Sequence, residues 1–214
     1  MARNLLASVV RFVTGVRIHE LEDWTGEACV FFANHSSHLD ALVIWAALPA
    51  EVRDLVSPVA ARDYWEKGRV RRWISTKVFH AILLERSGRP RSREHPMQPL
   101  VDAIRQGRSI IVFPEGTRSE DGRLNSFRAG LHYLREKFPA VPMIPVSLEN
   151  LNRILPKGQR LPVPLIGRIR VHPRMSFMED ENRCEFLARA RSLVLSGLSW
   201  ECGRSEHSTP LENK

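Results

Sequence analysis

Two short segments hold most of the side chains that could do chemistry. Residues 34–40 read Asn34-His35-Ser36-Ser37-His38-Leu39-Asp40, which sets an imidazole five positions before a carboxylate. Residues 113–119 read Phe113-Pro114-Glu115-Gly116-Thr117-Arg118-Ser119, an acid, a glycine, a hydroxyl and a guanidinium in one tight stretch. Histidine titrates near neutral pH and takes a proton from a hydroxyl best when a carboxylate fixes its tautomer and stabilises the imidazolium. Inside one straight helix His35 and Asp40 would lie about 140° apart. They meet only if His35 sits on a turn and Asp40 follows in the first helical turn. Asn34, Ser36 and Ser37 suit such a turn and helix start. His38 competes for the same role, and the turn geometry favours His35.

The second segment can form an anion site. Pro114 ends strand hydrogen bonding, and Gly116 lets the backbone approach a ligand closely. Thr117 offers a hydroxyl, and Arg118 can grip a phosphate through two parallel N–H bonds. Glu115 is placed to orient that arginine or a substrate hydroxyl. The alternative for the isolated segment is a β-turn bearing a surface ion pair.

Each segment needs an element to position it. An apolar run at residues 28–33 enters the first, and the strongest strand pattern in the chain, 109–113, enters the second. Further strands are predicted at 54–60, 81–84, 143–148 and 168–171. Helices are predicted at 40–48, 63–79, 99–106 (stopped by Gly107), 126–138 and 183–198. Residues 155–165 carry Pro156, Pro162 and Pro164 and read as a loop. Alternating strands and helices over 214 residues, without repeats or a linker, predict a single α/β domain. Its sheet should be largely parallel, mixed and flanked by helices. The chain divides into an amphipathic N-terminal helix (1–20), the main domain (21–200) and a polar tail (201–214).

The net charge is +8 and the isoelectric point about 10.1. Residues 62–93 alone hold ten basic and three acidic side chains. That imbalance fits a nucleic acid, an anionic membrane or a phosphorylated substrate, and equally a solvated basic face. Nucleic acid is set aside, because there is no recognition motif and no aromatic stacking pattern among only two tyrosines and scattered phenylalanines. Cys29, Cys184 and Cys202 have neither metal nor redox spacing, so a reduced compartment and no metal are expected. A nucleophile elbow, a phosphate-binding loop and a dinucleotide fingerprint are all missing, which leaves a substrate hydroxyl as the expected nucleophile. No apolar run approaches the ~20 residues needed to span a bilayer, and there is no signal-peptide pattern. In helical projection Leu5, Leu6, Val9, Val10, Phe12, Val13 and Val16 share one face, opposite Arg3, Asn4, Ser8, Arg11 and Thr14. Arg17 alone falls on the apolar side. A helix docked on the domain's own core and a helix lying in a membrane interface both fit this pattern.

Asn-His-x4-Asp followed by Phe-Pro-Glu-Gly-Thr-Arg resembles the 1-acylglycerol-3-phosphate acyltransferase family of glycerolipid acyltransferases. Phe79-His80-Ala81-Ile82-Leu83-Leu84-Glu85-Arg86 is similar to the family's second block, although Ala81 stands where glycine is common. Val141-Pro142-Met143-Ile144-Pro145-Val146-Ser147-Leu148 is similar to its fourth. The resemblance runs over residues 28–150. The segment before the first motif is short for the family, implying peripheral or monotopic attachment to the cytoplasmic face of an anionic membrane. The resemblance implies acyl transfer from acyl-CoA or acyl-carrier protein to the hydroxyl of 1-acylglycerol-3-phosphate, giving phosphatidic acid, with no other cofactor and no metal. His35 would deprotonate the hydroxyl and Asp40 would orient His35. Arg86, Glu115, Gly116, Thr117 and Arg118 would hold the phosphate of acceptor or donor, and Pro145 would support the acyl-binding wall. The alternatives are the same transfer to another lysophospholipid, glycerol-3-phosphate or an amino-acid lipid, or a non-catalytic basic membrane-binding module.

Overall fold

The computed structural model describes residues 2–19, 26–37, 39–62, 68, 80–85, 95–119, 123–149 and 167–198. Along the chain these form α1 (Ala2–Thr14), β1 (Arg17–His19), β2 (Val30–Ala33), α2 (Asp40–Ala47), α3 (Ala50–Arg53), β3 (Val56–Ala61) and β4 (Ile82–Leu84). There follow α4 (Gln98–Arg105), β5 (Ser109–Val112), α5 (Gly130–Lys137), β6 (Met143–Glu149), β7 (Arg168–Val171) and α6 (Arg183–Ser196). The strands make one seven-stranded sheet in the order β1-β7-β6-β2-β5-β3-β4. Every neighbouring pair is parallel except β6 with β7.

Three strands, β2, β5 and β6, are buried along their whole length. Unbroken apolar runs such as Val30-Phe31-Phe32-Ala33 are what a parallel sheet covered on both faces requires. One face packs against α1 and α2 through Ala7, Val10, Val43, Ile44, Trp45 and Leu48. The other packs against α4, α5 and α6 through Leu100, Ile104, Leu131, Leu134, Phe186 and Val194. The result is a three-layer α/β domain, as the alternation of elements predicts.

Most predicted elements lie within a residue or two of their expected bounds, and α4 ends at the expected glycine, Gly107, with φ +75°. The helix expected from 126 starts only at Gly130. Phe127 is buried at the expected helical spacing from Leu131, and the Arg128 N–H donates to the Pro114 carbonyl at 2.9 Å. Of the expected helix at 63–79 only Gly68 is described, a bend with φ +113° that no α-helix contains. Its other residues, the loop at 155–165, the tail, His38 and Arg86 lie outside the described residues.

The N-terminal helix, expected over 1–20, ends at Thr14 before Gly15 at φ +58°. Arg17–His19 instead form β1 against β7, so Val16 and Arg17 lie off the helix. The helix also corrects the projection. Arg3, Asn4, Arg11 and Thr14, placed opposite the docking face by the sequence, turn toward the domain. Arg11 donates to the carbonyls of Ala46 and Leu48, Arg3 pairs with Asp54 at 2.8 Å, Asn4 accepts from Arg53, and Thr14 is buried. The last carbonyls of α2 have no intrahelical donor, and cations suit the negative end of its dipole. Ala7 and Val10 are buried beside these contacts, while Leu5, Val9 and Phe12 remain 69%, 49% and 90% exposed. The broad apolar arc is thus split between core and surface.

Candidate active site

Both chemical segments leave the carboxyl ends of neighbouring parallel strands, with Phe32 of β2 in register with Val112 of β5. The chain after β2 enters α2 on one face of the sheet, and the chain after β5 reaches α5 on the other. Such divergence opens a crevice at the strand ends, the usual ligand site of an open α/β sheet.

The first turn is built from its own side chains. Asn34 is buried, its Nδ2 donates to the Leu148 carbonyl at 2.9 Å, and its Oδ1 accepts the Leu148 N–H at 2.8 Å. The amide therefore continues the β2–β6 ladder where the main chain has already turned away. Asp40, wholly buried at the start of α2, uses one oxygen, Oδ2, for three donors: His35 Nδ1 at 2.9 Å, Ser36 N–H at 2.7 Å and Ser37 N–H at 2.8 Å. An ionised carboxylate only accepts, so the imidazole proton sits on Nδ1 and Nε2 carries the free lone pair. The ring stacks on Phe113 with centroids 4.2 Å apart, and its side chain is 14% exposed. Among the described residues nothing bonds Nε2. The arrangement can lift a proton from a hydroxyl delivered to that nitrogen.

The second turn is tied to the first. Glu115 is 3% exposed, and its two oxygens accept the backbone N–H groups of His35 at 2.7 Å and Asn125 at 2.9 Å. Burial pushes this carboxyl above its ordinary range, opposed by those same hydrogen bonds. Ser119 N–H returns to the His35 carbonyl at 2.9 Å, so both backbone groups of the histidine are fixed by the opposite loop. The sequence reading gave Glu115 to an arginine or a substrate hydroxyl. The structure turns its carboxylate inward, onto the backbone.

Gly116 adopts φ +73° in the turn, Thr117 is exposed, and Arg118 is half-buried with no partner among the described residues. Pro145 lies in buried β6 where the β6–β7 ladder ends; its carbonyl accepts His172 N–H at 2.9 Å and its missing N–H goes unneeded there. It does not line the largely apolar cavity of about 620 Å3 that opens beside Phe113, Pro114 and Gly116 and runs between α4 and α5. Cys29 is buried, which pushes its thiol up to about 12 and leaves it unreactive. No three His, Cys, Asp or Glu side chains among the described residues converge as a metal site.

Two supporting arginines escaped the sequence reading. Arg191 of α6 donates to the carbonyls of Leu124 and Asn125, holding the loop that feeds Glu115. Arg128 donates through Nε to the Glu115 carbonyl at 3.0 Å. Neither lies in a motif, and nothing in residue type marks them among 32 basic side chains.

A family model described as Acyltransferase matches residues 15–149. The chloroplastic 1-acyl-sn-glycerol-3-phosphate acyltransferase BAT2 of Brassica napus is 29% identical over 135 residues, 61% of this chain and 35% of that protein. The 1-acyl-sn-glycerol-3-phosphate acyltransferase of Limnanthes douglasii is 29% identical over 149 residues, 66% of this chain and 49% of that protein. The chain thus spans between a third and a half of these relatives' lengths. In fold it is similar to the crystal structure of the 1-acyl-sn-glycerophosphate acyltransferase PlsC from Thermotoga maritima, with a TM-score of 0.71 and 20% identity over 95% of this chain and 82% of that one. The matched span holds both loops at the crevice and nearly two thirds of the sequence, and the chain belongs to the acyltransferase family.

Proposed function

We propose that this protein transfers a fatty acyl group from a thioester to the free hydroxyl of 1-acylglycerol-3-phosphate, yielding phosphatidic acid. The observation that carries this is the His35–Asp40 pair, with Nε2 unbonded among the described residues and the ring stacked on Phe113, which lines an apolar cavity. His35 Nε2 takes the hydroxyl proton as the oxygen attacks the thioester carbonyl. The C–O bond forms, the tetrahedral intermediate collapses with loss of the C–S bond, and the thiolate leaves with the proton from the imidazolium. Asp40 stabilises that imidazolium, Arg118 faces the acceptor's phosphate, and the acyl chain lies in the cavity. The donor is acyl-CoA or acyl-carrier protein. Leu5, Val9 and Phe12 on the outer side of α1 rest in the interface of an anionic membrane, which supplies the lysolipid acceptor. None of the helices in the described residues is long and apolar enough to cross it.

The test presents oleoyl-CoA with lysophosphatidic acid, other lysophospholipids and glycerol-3-phosphate to the purified protein in anionic vesicles. Lysophosphatidic acid should be the best acceptor. His35→Ala should lose roughly 10^2- to 10^4-fold in turnover while still pelleting with the vesicles. A folded protein that acylates no lysolipid sinks the proposal, and preference for another acceptor moves it within the family.

A further inference from the structure

Gly116 is constrained twice, and only one constraint concerns its own backbone. Its φ of +73° favours glycine, and a Cβ there would also stand 2.7 Å from Arg128 Nε and 2.9 Å from Arg128 Cδ. The Arg128 side chain therefore lies flat across the turn, in space that any other residue at 116 would fill. Two bonds hold it: its backbone N–H to the Pro114 carbonyl at 2.9 Å, and Nε to the Glu115 carbonyl at 3.0 Å. Nη1 and Nη2 have no partner among the described residues. Arg128 is exposed, and it lines the mouth of the cavity together with Phe113, Pro114 and Gly116.

An arginine locked through Nε presents its remaining donors as a preoriented fork, the arrangement that grips phosphate in two places. Its position relative to the base is set by one residue. The carbonyl of Glu115 accepts from Arg128 Nε, and the carboxylate of Glu115 accepts the His35 N–H. In 1-acylglycerol-3-phosphate the hydroxyl to be acylated and the phosphate sit on neighbouring carbons. An acceptor whose hydroxyl reaches His35 therefore carries its anion close to this turn.

The geometry points to Arg128 as a phosphate-binding residue of the site, acting beside Arg118 on a substrate phosphate monoester or diester. This rests on the acyl-transfer reading above. The phosphate comes either from the acceptor or from the coenzyme A part of the donor, and the substrates can be chosen to tell which.

Wild type, Arg128→Gln and Arg128→Lys are compared with 1-oleoylglycerol-3-phosphate and 1-oleoylglycerol as acceptors, and with oleoyl-CoA and oleoyl-pantetheine as donors. If the acceptor's phosphate binds, Arg128→Gln raises KM for the phosphorylated acceptor about tenfold to a hundredfold and leaves 1-oleoylglycerol within about twofold. If the donor's phosphates bind, the same rise falls on oleoyl-CoA and spares oleoyl-pantetheine. Arg128→Lys, which keeps the charge and loses the fork, should lie between. A folded Arg128→Gln that slows all substrate pairs alike, or none, overturns the assignment and leaves Arg128 as a brace for the turn. Calorimetric titration with glycerol-3-phosphate and with coenzyme A needs no turnover: binding of both ligands equal in wild type and both variants also overturns it. Wild-type protein that binds glycerol-3-phosphate through Arg128 yet acylates nothing would instead defeat the acyl-transfer reading and keep the phosphate site.

Discussion

Asp40→Asn isolates the electrostatic part of the proposed mechanism. Asp40 is wholly buried, and its direct link to the proposed base is the 2.9 Å contact between Oδ2 and His35 Nδ1, beside the two N–H bonds by which it holds the turn. When His35 accepts a proton in the transition state, the new positive charge lies roughly 4 Å from the centre of the carboxylate. At an effective dielectric of about 20 that pair is worth about 4 kcal/mol, or roughly a thousandfold in rate. Asparagine keeps a dipole there, which retains part of the effect. The amide oxygen in the place of Oδ2 can still accept the N–H groups of Ser36 and Ser37. Its NH2 group then takes the site of Oδ1, which is buried without a partner in the described structure. Leaving that donor unmet costs about 1–3 kcal/mol of stability. In the opposite rotamer the NH2 confronts three N–H donors and drives His35 to the tautomer with Nε2 protonated, which is useless as a base. Both rotamers point the same way. We expect kcat to fall about 10^2- to 10^3-fold, with KM for acceptor and donor held within about threefold. Initial rates on vesicle-borne lysophosphatidic acid measure this, with a denaturation curve to confirm folding. On a His35→Ala background the substitution should add nothing further. A wild-type kcat in folded Asp40→Asn, or a change confined to KM, would refute the reasoning.

Four further outcomes follow from the same geometry. Gly116→Ala should cost about 1–3 kcal/mol through its φ and its clash with Arg128, and adding Arg128→Ala should recover part of that loss in urea denaturation. Asn34→Leu strands the buried N–H and carbonyl of Leu148, so it should destabilise by about 2–4 kcal/mol and lower kcat by loosening the turn, measured by unfolding and initial rates together. Glu115 binds its proton more tightly folded than unfolded, so its contribution to stability falls as pH rises from the ordinary carboxyl value of 4.5 through the raised one. Glu181, held below its ordinary range by Arg189, slopes the other way, so the test is the difference between wild type and Glu115→Gln in denaturation across mildly acidic pH. That difference should decline with pH, and a rise contradicts the assignment. Phe12→Glu changes a side chain that is 90% exposed, so stability should hold within about 0.5 kcal/mol while co-sedimentation with anionic vesicles drops.

Local chemistry was readable wherever it dictates local shape. Residues 30–33 and 110–112 lie in strands because a short unbroken apolar run flanked by turn residues has few other uses, and Met143 to Val146 opens β6 in the same way. For His35 and Asp40 the steric argument set a condition, that a turn must fall between them if they touch, and the resemblance implied that they do; the structure meets both with a 2.9 Å contact. What escaped the sequence depends on partners far along the chain. A helical projection marks the apolar arc of α1, but it cannot say which half docks, because that depends on the carbonyls of Ala46 and Leu48, more than thirty residues away, which accept from Arg11. Asn34 suits a turn by type, yet its amide is committed to Leu148, 114 residues on.

The two motifs depend on each other for a reason rooted in the topology. Where neighbouring parallel strands send their chains to opposite faces of a sheet, the loops draw apart, and the crevice that can admit a substrate also leaves backbone donors facing one another with no acceptor between them. A buried carboxylate is one of the few groups that can meet both. Glu115 does so by accepting His35 N–H from one loop and Asn125 N–H from the other. Glutamine has one acceptor for two donors, and aspartate is a methylene short of the reach. The buried charge is the cost of that bridge, visible in the raised pKa of Glu115. The position of the proposed base is therefore set by a residue of the other motif, and a site that needs an open crevice with a fixed histidine in it needs both segments at once.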